Sequence, residues 1–244
     1  MTDGTPVALV TGAARRVGRS IASALAQEGF HVWVHYRNSH EVAVELVAEI
    51  RSGGGRADFI RADLAAIAEI EGMFGTLAET VGRLDLLVNN ASTFHRTRFG
   101  DTHEAEFDEL IDSNLKGPFF CCQLATPLLE ASQQGQIINI LDDSDGRPWP
   151  EYLPYCAAKA GLRSLTLGLA RRLAPKVRVN AVAPGPVLLP ETADAVERRA
   201  LEEATLLGRM GRPRDVARTV VFLATGPTFL TGSVIAVDGG RSLG

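Results

Sequence analysis

Tyr155 and Lys159 have the residue types and spacing needed for proton transfer. They stand four positions apart in the segment Tyr-Cys-Ala-Ala-Lys, and on a helix that separation places both side chains on one face. A phenol has a pKa of about 10 in water, and a nearby ammonium favours its ionised form. The pair can pass a proton near neutral pH, or it can be an ordinary surface pair, and the surrounding elements decide between the two.

A second candidate is the turn from Thr11 to Arg19, which follows the apolar run Val7–Val10 and has the sequence Thr-Gly-Ala-Ala-Arg-Arg-Val-Gly-Arg. Glycines at such a turn let the backbone approach a pyrophosphate, and the following helix N-terminus offers unpaired N–H groups. A turn of this kind can also be a simple connection. Its position directly after the first strand predicts dinucleotide binding.

The end of the second predicted strand, residues 35–39, indicates which dinucleotide. Sites that prefer NAD usually carry an Asp or Glu here for the ribose 2′-hydroxyl. No carboxylate lies between Phe30 and Ser39, and Arg37 occupies the neighbourhood. Arg and Ser donate to a 2′-phosphate that an acid would repel, so the segment favours NADPH/NADP. The alternative is that Arg37 is only a solvated charge at a strand end.

The elements that must position these residues alternate along the whole chain. Short apolar or β-branched runs predict strands, and the segments between them have helical apolar spacing, as in Ile21, Leu25 and Ala26. The predicted strands are Val7–Val10, His31–His35, Arg56–Ile60, Leu84–Val88, Gln136–Leu141, Arg178–Val182 and Ser233–Val237. The alternation predicts one α/β domain over residues 1–244, a doubly wound, Rossmann-like parallel sheet of about seven strands with helices on both faces.

One long segment, residues 184–211, is charged and interrupted by Pro186 and Pro190. Its Ala193–Leu207 portion can be helical. We expect the segment to act as a lid over a site, because loops of this length in compact domains are usually functional.

Charge and composition exclude several classes of function. The net charge of −4 has no long run of either sign, so no basic face is available for nucleic-acid phosphates. No apolar stretch approaches the roughly 20 residues that cross a bilayer, and the run Val7–Val10 is too short for a signal sequence. Cys121, Cys122 and Cys156 lie in apolar surroundings, as buried thiols of a reducing compartment do. We therefore predict a cytoplasmic protein with a small-molecule substrate, no nucleic-acid or membrane partner and no metal site.

Taken together, the motifs resemble the short-chain dehydrogenase/reductase family over essentially the whole chain. The residues that carry the resemblance are Thr11-Gly12…Gly18, Asn89-Asn90-Ala91, Asn114, Tyr155…Lys159 and Pro184-Gly185. The resemblance implies that Asp63 contacts the adenine, that Asn90 and Ala91 lie beside the adenosine ribose, and that Asn114 helps to hold a proton-relay water. It also implies that Lys159 binds the nicotinamide ribose and that the protein is a homotetramer or homodimer.

The motifs and the resemblance together predict a set of cofactor-binding residues. These are Gly12, Arg15, Arg16, Val17, Gly18, Tyr36, Arg37, Asn38, Ser39, Asp63, Leu64, Asn90, Ala91, Ser92, Tyr155, Lys159, Pro184, Gly185 and Val187.

The chain departs from the family at four positions. Family members usually carry glycine in place of Arg16 and Ser92, threonine in place of Leu189, and serine in place of Asp142, thirteen positions before the tyrosine. A serine hydroxyl can donate to a carbonyl oxygen, whereas an ionised carboxylate only accepts. Asp142 therefore suits a substrate with N–H donors, or one that takes a proton on nitrogen when the acid is protonated. A shift of one or two residues would instead place Ser144 at that position.

These departures occur together in a pteridine reductase-like subgroup. The segments Thr-Gly-Ala-Ala-Arg-Arg-Val-Gly, His-Tyr-Arg-Asn-Ser and Asn-Asn-Ala-Ser-Thr-Phe resemble pteridine reductases and, more distantly, dihydromonapterin reductases. In that subgroup a pterin lies between the nicotinamide and an aromatic ring, here Phe94, which can otherwise be a core or rim aromatic. The resemblance predicts as catalytic residues Asp142, Tyr155, Lys159 and Asn114, and as substrate-binding residues Arg16, Phe94, Asp142 and Tyr155.

The resulting interpretation is an NADPH-dependent oxidoreductase that reduces C=N bonds of a pterin, dihydropterin or dihydrofolate by hydride transfer. A second interpretation is a carbonyl reductase for 3-oxoacyl thioesters of acyl-carrier protein or another ketone, for which residues 114–117 and 237–240 are equally typical and against which Asp142 counts. A third, from another class, is a non-catalytic NADP(H)-binding sensor, against which the presence of Tyr155, Lys159 and Asn114 counts.

Overall fold

A computed structural model describes residues 4–145, 147–189 and 194–244, and within them seven strands form one parallel sheet. The strand order is β3-β2-β1-β4-β5-β6-β7. The strands are β1 Val7–Val10, β2 His31–Tyr36, β3 Arg56–Arg61, β4 Leu86–Asn89, β5 Gln136–Ile140, β6 Arg178–Pro184 and β7 Val234–Val237. The order reverses direction between β1 and β4, so the crevice for a ligand is expected at their carboxyl ends.

Helices cover both faces of this sheet. They are α1 Arg16–Gln27, α2 His40–Ser52, α3 Ile67–Thr80, α4 Glu104–Ile111, α5 Gly117–Glu130, α6 Leu153–Leu173, α7 Ala195–Glu203 and α8 Pro213–Thr225. Residues of α1, α2 and α8 pack into one core, and residues of α3 and α5 pack into the core on the opposite face. The predicted fold class, a doubly wound α/β sheet of the Rossmann type, is confirmed.

The alternation of side chains along the strands explains why both cores are apolar. In β1, Ala8 and Val10 lie in the core with α1, while Val7 and Leu9 lie in the core with α3. Successive strand residues point to opposite faces, and a strand covered on both faces must therefore be apolar at every position. This is why continuous apolar runs located the strands in the sequence.

Several strand ends differ from the prediction. The fourth strand begins at Leu86 rather than Leu84, and the seventh begins at Val234 rather than Ser233. Leu84 is apolar because it is buried, but its N–H donates to the carbonyl of Leu128, at the end of α5, and not to a neighbouring strand. Apolar character reports burial, whereas the ladder of hydrogen bonds defines the strand.

The predicted helix of the 184–211 segment is shorter than expected. It spans Ala195–Glu203, with the Asp194 carboxylate accepting from the backbone N–H groups of Val196 and Glu197 at its start. Residues 190–193 lie outside the described part of the chain. After the helix, the Thr205 hydroxyl donates to the Glu202 carbonyl and is bonded to Arg209, which fixes the return of the chain toward α8.

No helix in the described ranges is both long enough and apolar enough to span a membrane. The same ranges hold no cluster of three or more His, Cys, Asp or Glu side chains arranged for a metal ion. The three cysteines are free thiols buried in the interior.

Candidate active site

A cavity of about 1130 Å³ runs along the carboxyl edge of the sheet. Its walls come from the turn after β1, the ends of β2 to β6, the start of α6 and the 184–211 segment. It passes the point where the strand order reverses, which is where open α/β sheets bind their ligands. Predicted site residues from distant parts of the chain therefore meet in one place.

The turn after β1 needs glycine at two positions. Gly12 has φ +60°, and a Cβ there would lie 2.9 Å from the Cα of Ala91. A Cβ on Gly18 would overlap the Gly12 carbonyl oxygen and lie 2.6 Å from Asn90 Nδ2. The turn thus lies directly against the loop after β4. The space beside it admits a phosphate-bearing ligand at the N-terminus of α1, where the helix dipole favours an anion.

Asn90 and Thr11 join this turn to the loop after β4. The Thr11 hydroxyl oxygen accepts from the backbone N–H groups of Asn90 (2.9 Å) and Ala91 (3.0 Å). The Asn90 side-chain amide donates to the carbonyls of Thr11 (2.9 Å) and Gly12 (3.2 Å). Both sides of the predicted cofactor site are therefore joined by hydrogen bonds within the protein.

His35, near the end of β2, is hydrogen-bonded to the same turn. Its Nδ1 accepts from the Gly12 N–H at 3.0 Å, and its Nε2 lies 3.0 Å from the Ala62 carbonyl, so the neutral ring has its proton on Nε2. Burial lowers the pKa of His35 to about 4, against a smaller opposing effect of the hydrogen bond to Ala62. The imidazole is therefore neutral at physiological pH and acts as a fixed acceptor.

Cationic side chains lie at the end of the cavity that the 2′-phosphate of NADP would reach. Arg15 and Arg37 line this end, and Asp63 and Leu64 form the wall after β3. Three other predicted residues, Tyr36, Asn38 and Ser39, do not line the cavity. The reason is clear for Tyr36, whose ring is buried in the core and whose hydroxyl is hydrogen-bonded to His40 Nδ1 at 2.7 Å.

Arg16 lies at the first position of α1 with φ +54°, the left-handed region that favours glycine. The family pattern has glycine at this position, and the backbone keeps the conformation that glycine would have. Its side chain is exposed and lines the cavity. The arrangement places a cation on the wall of the cavity.

Tyr155 and Asp142 meet at the other end of the cavity. The Tyr155 hydroxyl donates to Asp142 Oδ2 at 3.0 Å, and Asp142 Oδ1 accepts from the Ser144 N–H at 2.9 Å. Burial, followed by the Asp142 carboxylate, raises the pKa of Tyr155 well above its usual value. The phenol therefore holds its proton and can donate it. Ser144 is fully buried and does not line the cavity, so the structure brings Asp142 and not Ser144 to the tyrosine.

Lys159 lies one helical turn after Tyr155 on α6. Its Nζ donates to the Ile140 carbonyl at 3.0 Å and lies 5.6 Å from the centroid of the Tyr155 ring. Burial lowers the pKa of Lys159 to about 8, against the opposing effect of Asp142. The ammonium thus faces the tyrosine and the end of β5, as the spacing of the pair predicts.

Asn114 lies in a π turn, Asp112–Lys116, between α4 and α5. Its amide donates to the carbonyls of Thr93 and Leu110, both at 2.9 Å, and its Oδ1 accepts from the Ser92 hydroxyl at 2.6 Å. The residue is fully buried and does not line the cavity. Its bonds connect the loop after β4 to the helix beneath the tyrosine.

Aromatic rings form one wall at the Tyr155 end. Phe94 stacks on Tyr152 with centroids 4.7 Å apart and an interplanar angle of 3°, and it meets the Tyr155 ring edge-on at 4.8 Å. Trp149 packs against the same group. Phe94 lines the cavity and is 47% exposed. It is therefore a rim aromatic that a flat ligand can contact, and not a core residue.

Asp143 and Arg241 form an ion pair on the cavity wall. Arg241 Nη1 lies 3.1 Å from both carboxylate oxygens of Asp143. Burial and the neighbouring Asp142 raise the pKa of Asp143 to about 7, against the opposing effect of Arg241. The Tyr155 end therefore contains two adjacent carboxyl groups, Asp142 and Asp143, together with the cationic side chains of Lys159 and Arg241.

Sequence reasoning missed several residues that line or support this site. Trp149 and Tyr152 precede α6 in a segment without periodicity, and Arg241 follows a Gly-Gly pair at the far end of the chain. His35 lies inside a strand where most residues are apolar. Only its polar type in an otherwise apolar strand could have pointed to it.

Comparisons with known proteins agree over nearly the whole length. The family model adh_short_C2, described as Enoyl-(Acyl carrier protein) reductase, matches residues 12–242. The 3-oxoacyl-[acyl-carrier-protein] reductase FabG of Staphylococcus aureus is 40% identical over 97% of this chain and 98% of its own. The 3beta-hydroxysteroid dehydrogenase 1 of Eggerthella lenta is 34% identical over 96% of this chain and 93% of its own.

Solved structures give the same result. A dehydrogenase/reductase from Sinorhizobium meliloti 1021 has a TM-score of 0.90 and 39% identity, covering 97% of this chain and 94% of its own. The angucycline C-6 ketoreductase LanV with bound NADP has a TM-score of 0.89 and 32% identity, covering 98% and 96%.

Proposed function

This chain belongs to the short-chain dehydrogenase/reductase family, and from that premise we propose that it is an NADPH-dependent reductase whose proton chemistry is carried out by Tyr155, Lys159 and Asp142. The observation that carries the proposal is the hydrogen bond from the Tyr155 hydroxyl to Asp142, at the end of the cavity opposite the glycine turn.

The residues present fit NADP(H). The turn has no room for a Cβ at Gly12 or Gly18, and the start of α1 offers N–H groups to a pyrophosphate. Arg15 and Arg37 are suited to a 2′-phosphate, and the end of β2 carries no carboxylate to repel it. One solved relative, LanV, has NADP bound.

When bound, the dinucleotide would supply a hydride, which is two electrons, for transfer to a carbon of the substrate. The protein supplies the proton: Tyr155 donates it from its hydroxyl to the adjacent nitrogen or oxygen, so that a C=N or C=O double bond becomes a CH–NH or CH–OH single bond. Lys159 stabilises the phenolate that this leaves, and Asp142 orients the hydroxyl. Holding the reacting groups in contact accounts for roughly 7–11 kcal/mol of such a barrier.

A substrate with a C=N bond in a flat heteroaromatic ring, of the pterin or dihydrofolate type, fits the Tyr155 end best. Asp142 can accept an N–H group of such a ring, or donate to a ring nitrogen when protonated, whereas an ionised carboxylate repels a carbonyl oxygen. Phe94 lines the cavity and is partly exposed, so a flat ring bound there could contact it. Membership of the pteridine reductase-like subgroup rests on this site and remains a prediction.

A second candidate substrate is a 3-oxoacyl thioester, and the relatives favour it. Seven relatives at 37–40% identity are named as 3-oxoacyl-[acyl-carrier-protein] reductases. Asp142 opposes this reaction as long as it is ionised. A protonated Asp142 could donate to a carbonyl oxygen as a serine does.

The test is NADPH oxidation by the purified protein with dihydrobiopterin, dihydrofolate and acetoacetyl-CoA, each repeated with NADH. Turnover of the pterins alone supports the C=N reductase. Turnover of the thioester alone overturns it in favour of the oxoacyl reductase. Binding of NADPH without turnover of any compound in a broader panel of pterins and ketones would leave the sensor interpretation.

Two variants of Asp142 sharpen the result. Asp142→Ser should abolish turnover of a pterin and preserve or raise turnover of a ketone, because the hydroxyl donates to oxygen. Asp142→Asn keeps the shape of the side chain but cannot lose or gain a proton, so it separates proton transfer from positioning. Loss of ketone turnover in Asp142→Ser would contradict the assigned role of this carboxyl.

A further inference from the structure

The ion pair between Asp143 and Arg241 joins the C-terminal end of the chain to the Tyr155 end of the cavity. Both residues line the cavity, and the side chains are 4% and 22% exposed. The guanidinium carbon of Arg241 also lies 5.0 Å from the centroid of the Trp149 ring. Arg241 is thus held between a carboxylate and an aromatic face, in a place where solvent screens its charge only partly.

Asp143 is adjacent to the carboxyl group that touches the tyrosine. Burial, followed by the neighbouring Asp142 carboxylate, raises the pKa of Asp143 to about 7, because two neighbouring carboxylates repel. In the described part of the chain, the charged and titratable groups that face this pair are Tyr155 and Lys159 from α6 and Arg241 from the C-terminal turn. Arg241 is the one that touches Asp143.

The C-terminal turn is fixed independently of the ion pair. Asp238 Oδ1 accepts from the Gly240 N–H and Oδ2 accepts from the Ser242 N–H, both at 2.9 Å. These bonds position the backbone on both sides of Arg241. A change of the Arg241 side chain therefore removes the charge without releasing the turn.

We propose that Arg241 is a positioning residue for proton transfer: through its ion pair with Asp143 it sets the pH at which the Asp143 carboxyl becomes charged beside Asp142 and Tyr155, and with it the alkaline limit of reduction. The cation favours the ionised Asp143 carboxylate, so the proton leaves at a lower pH than it would beside a neutral side chain. The inference rests on the proposed reductase function, since it assigns the alkaline limit to a group in that site. It makes the last turn of the chain part of the proton-transfer apparatus.

The first experiment measures kcat against pH for the wild type, Arg241→Gln and Arg241→Lys with the substrate that the protein reduces. Arg241→Gln should move the alkaline midpoint upward by about one pH unit, as loss of a neighbouring cation does, and Arg241→Lys should return it most of the way. A uniform loss of kcat at every pH, with the midpoint unchanged, would show that Arg241 is merely structural and overturn the proposal.

A second measurement follows Asp143 without turnover. Trp149 contacts Arg241, so its fluorescence should change as Asp143 titrates, with a midpoint that Arg241→Gln raises by the same amount. Asp143→Asn should abolish the change, and Trp149→Phe should remove the signal and leave that of Trp33. Persistence of the change in Asp143→Asn overturns the proposal. If Arg241→Gln shifts the fluorescence midpoint as expected but the protein turns over no substrate, the link between Arg241 and Asp143 is supported. Only the proposed reductase function is then overturned.

Discussion

His35 Nδ1 lies 3.0 Å from the backbone nitrogen of Gly12 and accepts its hydrogen bond, although the two residues are 23 positions apart. The bond fixes an N–H group of the phosphate-binding turn that points into the protein, between the Thr11 and Ala13 N–H groups, which donate to backbone carbonyls of Val88 and His35. The turn can therefore have its ligand-binding conformation before a ligand arrives, which reduces the cost of ordering it on binding.

Replacement of this acceptor should weaken cofactor binding. In His35→Leu the Gly12 N–H is buried without a partner, which costs about 1–3 kcal/mol, so we expect the Kd for NADPH to rise about tenfold while kcat at saturation stays within about twofold. NADPH fluorescence titration measures the Kd. His31→Leu is the matched control, because His31 pairs with Asp58 away from the cavity. An unchanged Kd in His35→Leu would contradict the role of the bond.

His35 should also make stability depend on pH. Its pKa is about 4 in the folded protein and 6.5 in the unfolded chain, so the unfolded state binds the proton first as the pH falls. The neutral His35 makes its full contribution to the free energy of unfolding above pH 6.5. That contribution decreases by about 3 kcal/mol as the pH falls to 4. Chemical unfolding of the wild type and His35→Leu at pH 7 and pH 4.5 tests this. Equal losses of unfolding free energy in the two proteins would show that another group is responsible.

Gly18→Ala should damage both the turn and its ligand site. The added Cβ would overlap the Gly12 carbonyl oxygen, so the turn must move away from Asn90. We expect the free energy of unfolding to decrease by about 1–3 kcal/mol, as overpacking causes. We also expect the Kd for NADPH to rise more than tenfold. Gly72→Ala in α3 is the control, because its Cβ meets nothing within 4 Å and should stabilise by up to about 1 kcal/mol. A Gly18→Ala protein with normal Kd would be inconsistent with this packing.

Tyr155→Phe should abolish proton donation and leave the binding site intact. The ring still packs edge-on against Phe94, but the hydroxyl is lost, so we expect kcat to fall about 10²–10⁴-fold, the usual contribution of a general acid. The Kd for NADPH should stay within about twofold. Stopped-flow reduction gives the rate, and fluorescence titration gives the Kd. A fall of less than about threefold would assign the proton to another group.

Arg37→Ala should change the preference between the two nicotinamide cofactors. Arg37 lines the end of the cavity where the 2′-phosphate would lie, and loss of a charge-assisted hydrogen bond costs about 1.5–3 kcal/mol. We expect the KM for NADPH to rise at least tenfold while the KM for NADH changes little. Arg51→Ala, at the other end of α2, is the control, because Arg51 bonds to Ala57 and Asp58 outside the cavity. A parallel rise for both cofactors would argue against phosphate recognition by Arg37.

The residues that were correctly predicted to lie together are those that are close to one another in the sequence. Tyr155 and Lys159 share a helix face, and Gly12 and Gly18 belong to one turn, so spacing along the chain was enough to place them. His35 and Arg241 were missed because their partners are 23 and 98 positions away. A histidine in a strand and an arginine near the C-terminus can each lie in many environments. Which one occurs depends on the order of the strands in the sheet.

Ser39 and Tyr36, by contrast, do not line the cavity. The segment after β2 was predicted as a unit, but a strand points alternate side chains to opposite faces. Tyr36 accordingly lies in the core with α2, where it bonds to His40. Ser39 immediately precedes α2, and its carbonyl accepts from the Ala43 N–H. Of this stretch, the cavity is lined by His35 and Arg37.

The π turn at Asp112–Lys116 implies that this helix carries one residue that regular geometry would not include. Each residue of an α-helix advances by about 100° around the axis. Deletion of Ser113 would therefore make the join between α4 and α5 more regular. It would also rotate Asn114, so that its side chain could no longer bond to both Ser92 and Leu110. The deletion should therefore lose the link between the β4 loop and the floor of the tyrosine site without loosening the helix. The extra residue of the π turn, which a regular helix would not contain, is thus what brings the buried Asn114 amide to the site.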